Sequence, residues 1–314
     1  MLAPLPAWWR DALKEASADQ YLIMLSEQQL SDCIRWACEQ EVNAPKPGNV
    51  NPHSDGHQMQ IDDFLRSAKA IAPVMAQPDL TVGQRILQSV IATRQVVDCN
   101  TNLGIILLFA PIIQAAWQCS GFSELPAALT TVLKNLTIAD AEDCYQAIQM
   151  AEAGNLGEAS EQDIRRKPTV TLREAMFLAQ NRDSIARQYV NNYKEVWEIA
   201  FKELTNSLNC GEKVEWATAF AYLSVLSRVP DTLISRKFSR QQAQIVSEQA
   251  QLFVAKMNNI TTLRSMQDEL RDWDQQLKCL AINPGTTADI SAAALLLHAL
   301  SQADINRISV AQCT

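Results

Sequence analysis

Two histidines, a lysine and two acids crowd one irregular stretch, Glu41-Val-Asn-Ala-Pro-Lys46-Pro-Gly48-Asn-Val-Asn-Pro-His53-Ser-Asp55-Gly-His57. A helical pattern runs into it and another leaves it. It therefore reads as a fixed loop on which polar groups converge, the usual setting of a binding site. Glu41 falls one turn beyond Ala37 on the face that carries Leu30, Cys33, Ile34, Ala37 and Cys38. A carboxylate on the core side of a helix end is expected in a cleft, where it can do acid–base work; pairing with a nearby base or capping the loop amides is the plainer alternative. His53 and His57 can meet a phosphate or move a proton, or simply shape the loop.

Other breaks in the chain hold further polar clusters. Asp98-Cys-Asn100-Thr101-Asn102-Leu-Gly104 leads straight into the apolar run Ile105-Ile-Leu-Leu-Phe-Ala-Pro111-Ile-Ile. Asn100 and Asn102 thus stand where the amides of a helix N-terminus point outward, which suits either a phosphate or an ordinary cap. Arg228-Val-Pro-Asp231-Thr-Leu-Ile-Ser-Arg236-Lys237-Phe-Ser-Arg240 sets four bases against one acid. Pro230 and Asp231 interrupt it, so Arg228, Arg236 and Lys237 can bracket a turn and face an anion instead of forming a solvated face. Asn283-Pro-Gly285-Thr286-Thr287-Ala-Asp289 is a turn feeding a helix start, with Asp289 in the first turn. His298, amid leucines, is expected to be a core histidine.

The elements that must position these groups are helices. Strand-like alternation is absent, glycines number only nine, and 47% of the 314 residues are hydrophobic, ample for a core. Ser26 with Gln29, Thr81 with Gln84 and Thr171 with Glu174 have the spacing of capping boxes ahead of amphipathic runs. The run from Ile105 is too short for a bilayer, which needs about 20 apolar residues, and is expected as the central helix, surrounded on all sides. A long amphipathic helix is expected through Val196, Trp197, Ile199, Ala200 and Leu204. The fold class is all-α: a single compact multi-helix domain over residues 26–304, with an N-terminal arm (1–25) and a C-terminal tail (305–314).

Net charge is −8 with a pI near 5.0, which opposes nonspecific nucleic-acid binding and an anionic membrane partner. The eight cysteines form no Cys-x-x-Cys pair and several sit on apolar helix faces, so reduced thiols and a cytoplasmic location are expected. No phosphate-binding glycine loop, nucleophile elbow or zinc spacing occurs.

Taken together, Glu41-Val-x-Ala-x-Lys46-Pro-Gly48, Asn100-Thr-Asn with Gly104, Gly157 with Asp163, Arg228-Val-Pro-Asp-Thr and Asn283-Pro-Gly-Thr-Thr-Ala-Asp289 resemble the triphosphoribosyl-dephospho-CoA synthase family. The resemblance runs in order from about residue 30 to 300. It implies an all-helical cytosolic enzyme of cofactor maturation that takes ATP and 3′-dephospho-CoA, releases adenine, and joins the triphosphoribosyl unit to the dephospho-CoA ribose. The citrate-lyase branch has Asn-Thr-His-Lys-Gly where this chain reads Asn100-Thr101-Asn102-Leu103-Gly104, and the loop at Gly56-His57-Gln58-Met59 departs as well. The chain is more similar to an archaeal and methylotroph branch, for which a one-carbon cofactor precursor is an alternative acceptor. A noncatalytic nucleotide-binding relative is a third reading.

Breaking an adenine–ribose bond passes through an oxocarbenium-like centre, so the resemblance implies a carboxylate near the sugar and a base for the incoming hydroxyl. Glu41 and Asp289 are the candidates, with His57 as a proton donor. Lys46, Asn100, Asn102, Arg228, Arg236, Lys237, Thr286 and Thr287 are candidates for holding the substrate and its phosphates. Mg²⁺ is expected with the nucleotide, with Asp55, Asp163, Asp231 and Asp289 as possible ligands. A homodimer is possible. Glu41→Gln is expected to abolish turnover while leaving fold and stability nearly intact.

Overall fold

The computed structural model describes residues 25–52, 59–151 and 161–311, with side chains up to Asp304. The arm at 1–24, together with His53, Asp55, His57 and Gly157, lies outside the described residues. Among the described residues there are fourteen α-helices and no strand, the all-α architecture that the periodicity implies. None of these helices is long and apolar enough to cross a membrane.

Helix α1 (Glu27–Asn43) begins where expected. Ser26 Oγ accepts from the Gln29 amide, and the Gln29 side chain accepts from the Ser26 amide. Its buried face runs Leu30, Cys33, Ile34, Ala37, Cys38 and on to Glu41. Helix α2 (Ile61–Met75) packs beside it, and helix α3 (Val82–Arg94), which opens on the Thr81–Gln84 box, packs against α2. Arg85 of α3 is fully buried without a carboxylate. Its guanidinium donates instead to the carbonyls of Met75, Gln77 and Leu80 just past α2 and to Gln114 Oε1, stitching three helices together.

Helix α4 (Leu103–Ala116) is buried along nearly its whole length, as its sequence predicts. Pro111 cannot donate a backbone hydrogen bond, so the carbonyl of Leu107, four residues earlier, has no partner within the helix. The Tyr189 hydroxyl supplies the missing donor at 2.6 Å, and Tyr193 reaches the neighbouring Leu108 carbonyl at 3.0 Å. A proline that would kink an isolated helix thus becomes a docking point for helix α8 (Ser184–Asn191).

Helices α5 (Leu125–Lys134), α6 (Ile138–Met150) and α7 (Leu172–Ala179) complete one side of the core; α7 is capped by the Thr171–Glu174 box. The long helix expected through Val196, Trp197 and Leu204 is present, unbroken over 194–209, but part of it is π-helical. Asn192 and Tyr193 take left-handed conformations (φ 58° and 62°) that end α8, and a π-helical turn at Val196–Phe201 precedes α9 (Lys202–Asn209). That wider turn buries Val196 and Ala200 and sets Trp197 and Phe201 against Phe122.

The core has two parts, and α4 centres only the larger. Helix α10 (Val214–Arg228) is buried on both sides: Ala217, Ala221 and Val225 join the α4 core, while Trp216, Phe220 and Leu223 join a second cluster. That second cluster is built with α11 (Thr232–Lys237), α12 (Arg240–Met257) and α13 (Gln267–Cys279). Helix α14 (Gly285–Ala311) returns through the middle, and its backbone continues past residue 304 as helix. His298, on α14, is mostly buried beside Trp36 and has its pKa pushed down to about 4 by burial, as a core histidine should. The seven described cysteines are free thiols.

Candidate functional site

Pro45 stops α1, and the chain doubles back so that Lys46 lies under the helix it has just left. Lys46 is completely buried. Its Nζ sits 3.1 Å from Glu41 Oε1 and donates to the Glu41 and Val50 carbonyls at 2.5 and 3.1 Å. Three acceptors match the three protons of an ammonium, so the geometry fits a charged pair. Burial raises the Glu41 carboxyl and the Lys46 ammonium opposes that rise.

Gly48 follows with φ 81°, where an L side chain is strained, and a Cβ there would meet Pro284 Cδ at 2.8 Å and the Ile282 carbonyl at 3.0 Å. Asn49 Nδ2 donates to Asn283 Oδ1 at 2.9 Å. The lysine-bearing loop therefore lies directly on the Asn283-Pro-Gly285 turn, although more than 230 residues separate them in the sequence. Asp274 of α13 accepts from the Gly48 amide, and the Tyr222 hydroxyl of α10 donates to the Pro47 carbonyl. Both of these anchors come from helices of the second core.

Above this junction opens a cavity of about 410 Å³, within the range of small-ligand sites. Glu41 and Asp289 both line it, together with Asn100, Asn102, Arg236, Lys237 and Thr286. Chain breaks distant in sequence thus meet at one mouth. Asp289 faces the start of α4, where only a glycine leaves room: a Cβ on Gly104 would lie 2.0 Å from Asp289 Oδ2. Burial and the nearby carboxylates of Glu41, Asp231 and Asp183 push the Asp289 carboxyl well above the usual carboxylate range, with Arg236 opposing. Burial thus raises both carboxyls, but Glu41 has the Lys46 ammonium in contact to oppose the rise, whereas Asp289 has no ion pair among the described residues.

Asn100 Oδ1 accepts from the Leu103 amide, a cap on α4, while Asn102 Oδ1 accepts from the Thr93 hydroxyl and its Nδ2 is buried without a partner. Arg236 Nη1 donates to Asp183 Oδ2 at 2.5 Å; Lys237, at the rim, is exposed. Asp183 itself caps α8 through its other oxygen and also lines the cavity. Its sequence context, Asp-Ser-Ile-Ala, signals only a helix start, so its place beside the cavity is invisible in the sequence.

The remaining candidates lie elsewhere. Lys46 is turned away from the cavity, beneath Glu41, with its protons engaged, so a phosphate role does not fit its position. Arg228 pairs with Glu203 at 3.1 Å on the surface. Asp163 is clasped by Arg165, with contacts of 2.7 and 2.8 Å. Asp231 is buried and fully engaged: Oδ1 accepts from the Leu233 and Ile234 amides, and Oδ2 accepts from the Thr287 amide and hydroxyl. This carboxylate fastens α11 to α14 and takes Thr287 with it, away from the cavity wall. Asp163, Asp231 and Asp289 do not converge, and among the described residues no three His, Cys, Asp or Glu side chains form a metal cage.

Comparison with known proteins bears on the family and the fold. The model of the family described as CitG, ATP:dephospho-CoA triphosphoribosyl transferase, matches residues 27–308. The crystal structure of a putative triphosphoribosyl-dephospho-CoA synthase from Archaeoglobus fulgidus is similar, with a TM-score of 0.60 and 25% identity, over 76% of this chain and 99% of that one. No curated protein matches the sequence. A match over nearly the whole helical domain, with the two most distinctive loops welded together at one cavity, settles the family: the chain belongs to the ATP:dephospho-CoA triphosphoribosyl transferase family.

Proposed function

We propose that the chain transfers the triphosphoribosyl unit of ATP to 3′-dephospho-CoA at the cavity between Glu41 and Asp289, releasing adenine. One observation carries this reading: two carboxylates, one paired with a buried lysine and one without an ion pair among the described residues, share a cavity wall that also presents Arg236 and Lys237. The bond between the ATP ribose C1′ and adenine breaks, and a bond from C1′ to a ribose hydroxyl of the acceptor forms. Asp289, which favours its proton, supplies it to the departing adenine. Glu41, kept charged by Lys46, faces the positive charge that builds on the sugar and takes the proton of the incoming hydroxyl. One proton is given and one taken, so the site ends with its charge unchanged and its two carboxylates exchanged in role. Arg236 and Lys237 attract the triphosphate.

A nucleotide-borne Mg²⁺ fits this wall only in part. Such an ion takes one or two carboxylates and fills its shell with phosphate oxygens and water. Asp289, which has no ion pair among the described residues, is the wall carboxylate open to it. When bound, the ion would neutralise phosphate charge and draw the Asp289 pKa back down. A reduced-thiol, cytoplasmic setting belongs to the same reading.

A second acceptor is favoured by one feature. Leu103 lines the cavity at the position where the citrate-lyase branch resembles Asn-Thr-His-Lys-Gly, so an apolar side chain stands where a lysine would. This fits a different cofactor precursor, such as a one-carbon carrier intermediate. The deciding experiment incubates the protein with ATP and 3′-dephospho-CoA and separates the products chromatographically. Adenine together with a heavier CoA derivative is the expected result. Adenine released only with another acceptor supports the second reading, and ATP bound but never consumed would leave a noncatalytic relative.

A further inference from the structure

A second chamber of about 130 Å³ opens beside the main cavity, and the two share Leu107, Ile148, Asp183, Ile185 and Arg236 in their walls. The expectations from sequence touched it only through Asp163 and Arg236. Its lining is mostly hydrocarbon and sulfur, with Cys144, Leu172 and Met176 among the side chains, and Tyr145, Gln162 and Arg182 set around them.

We infer that this chamber is a nucleobase pocket that holds the adenine of the triphosphate donor, with Arg236 at the opening between base and sugar. The inference rests on the reading above that ATP is the donor. Three observations lead to it. The apolar walls would strip the hydration from a triphosphate without replacing it, whereas the faces of a flat heterocycle lose little there. The chamber's two carboxylates are engaged, Asp163 by Arg165 and Asp183 by Arg236 and the start of α8. The polar groups with capacity to spare are donors. Arg236 uses one nitrogen on Asp183, its buried Nε has no partner, and Arg182 carries no side-chain hydrogen bond among the described residues. A guanidinium has five N–H groups and no acceptor. Adenine presents ring nitrogens that accept, and its exocyclic amine needs one acceptor, for which Asp183 Oδ2, taken by a single bond from Arg236, keeps a lone pair.

The placement has a chemical consequence. As the bond to the sugar breaks, its electron pair moves onto the purine ring, and a cation at the base's edge stabilises it while Asp289 completes the proton balance. Arg236 would then serve the leaving group as well as the phosphates.

The test uses the full chain and two probes, adenine alone and inorganic tripolyphosphate alone, by calorimetry. Ala175→Leu narrows the chamber from α7 without touching the main cavity; Ala179→Leu, one turn on in the same wall, serves if the first variant fails to fold by circular dichroism. Adenine affinity is expected to fall at least tenfold while tripolyphosphate binding stays within twofold, and Arg236→Met is expected to weaken adenine in the wild-type chamber. Unchanged adenine binding in the narrowed variant, loss of tripolyphosphate binding instead, or no adenine binding by the wild type would each overturn the pocket. The pocket and the acceptor fail separately: adenine binding without turnover of dephospho-CoA sinks only the acceptor, and turnover with no effect of the narrowing sinks only the pocket.

Discussion

Two acid–base pairs of the same charge types stand at the cavity, one closed within a single loop and one between residues 53 apart, and the fold uses them differently. Glu41 and Lys46 are both buried, and the lysine's three contacts use its three protons. Asp183 and Arg236 are partly exposed, and the arginine keeps most of its donors uncommitted. In the first pair the cation exists for the acid: it makes a buried carboxylate tolerable at a reactive position. In the second the acid exists for the cation, because Asp183 aims a guanidinium whose remaining N–H groups can meet a ligand. Opposite charges placed close together thus give a fixed carboxylate in one place and an available cation in the other. What separates them is how many partners the backbone supplies.

Breaking the buried pair should have the largest effect. Glu41→Gln is expected to abolish turnover, but the expectation of unchanged stability needs correction, since Lys46 would be left in the core without its counter-charge. Losing one partner of a buried pair costs about 3–5 kcal/mol, read as a lowered urea midpoint. The double variant Glu41→Gln/Lys46→Met should recover much of that stability and none of the activity. If Glu41→Gln is as stable as the wild type, the pair is not the buried ion pair described here.

Asp289→Asn comes next, with turnover reduced roughly 10²–10⁴-fold, the usual weight of a general acid. Its stability effect has the opposite sign. Burial lifts the folded-state pKa of Asp289 above its unfolded value, about 3.9 for an aspartate, so the folded protein binds the extra proton. That contribution is complete below the unfolded pKa and fades as pH rises toward the folded one. Asp289→Asn should therefore flatten a decline in stability above about pH 4, measured by denaturant titration at several pH values. A variant that loses stability equally at every pH would show that the carboxylate is ionised in the free protein.

The smallest effect is reserved for Arg228. Its pairing with Glu203 is half-exposed and outside the cavity, and such pairs contribute about 0–1 kcal/mol. Arg228→Gln should leave turnover unchanged. A substantial loss there would mean the basic run acts as one unit after all, contrary to the separation of Arg228 from Arg236.

Much of the helical order is legible in the chain because its signals are local. The Ser26, Thr81 and Thr171 capping boxes form as spaced, and the apolar run from Ile105 becomes a buried helix. Glu41 is predicted on the core face by simple periodicity and is there. The π-turn at Val196–Phe201 was not legible, since an amphipathic pattern does not distinguish it from an α-helix when the deciding contacts come from Phe122 and a left-handed Tyr193. Nor was the fate of individual bases. Lys46, Arg228, Arg236 and Lys237 are equivalent as charges in a sequence, yet one is buried under a carboxylate, one lies in a surface pair and two reach the cavity.

The sequence by itself determined which segments are helical, where they stop, and that irregular loops rich in polar groups interrupt them, because caps, prolines and apolar periodicity act over a few residues. Only the tertiary structure decided that Gly48 lies on Pro284, that Gly104 makes room for Asp289, and that Asp231 is spent on Thr287 instead of a metal. Those outcomes depend on steric fit and on counting hydrogen-bond partners across hundreds of residues, quantities that exist only once the helices are packed.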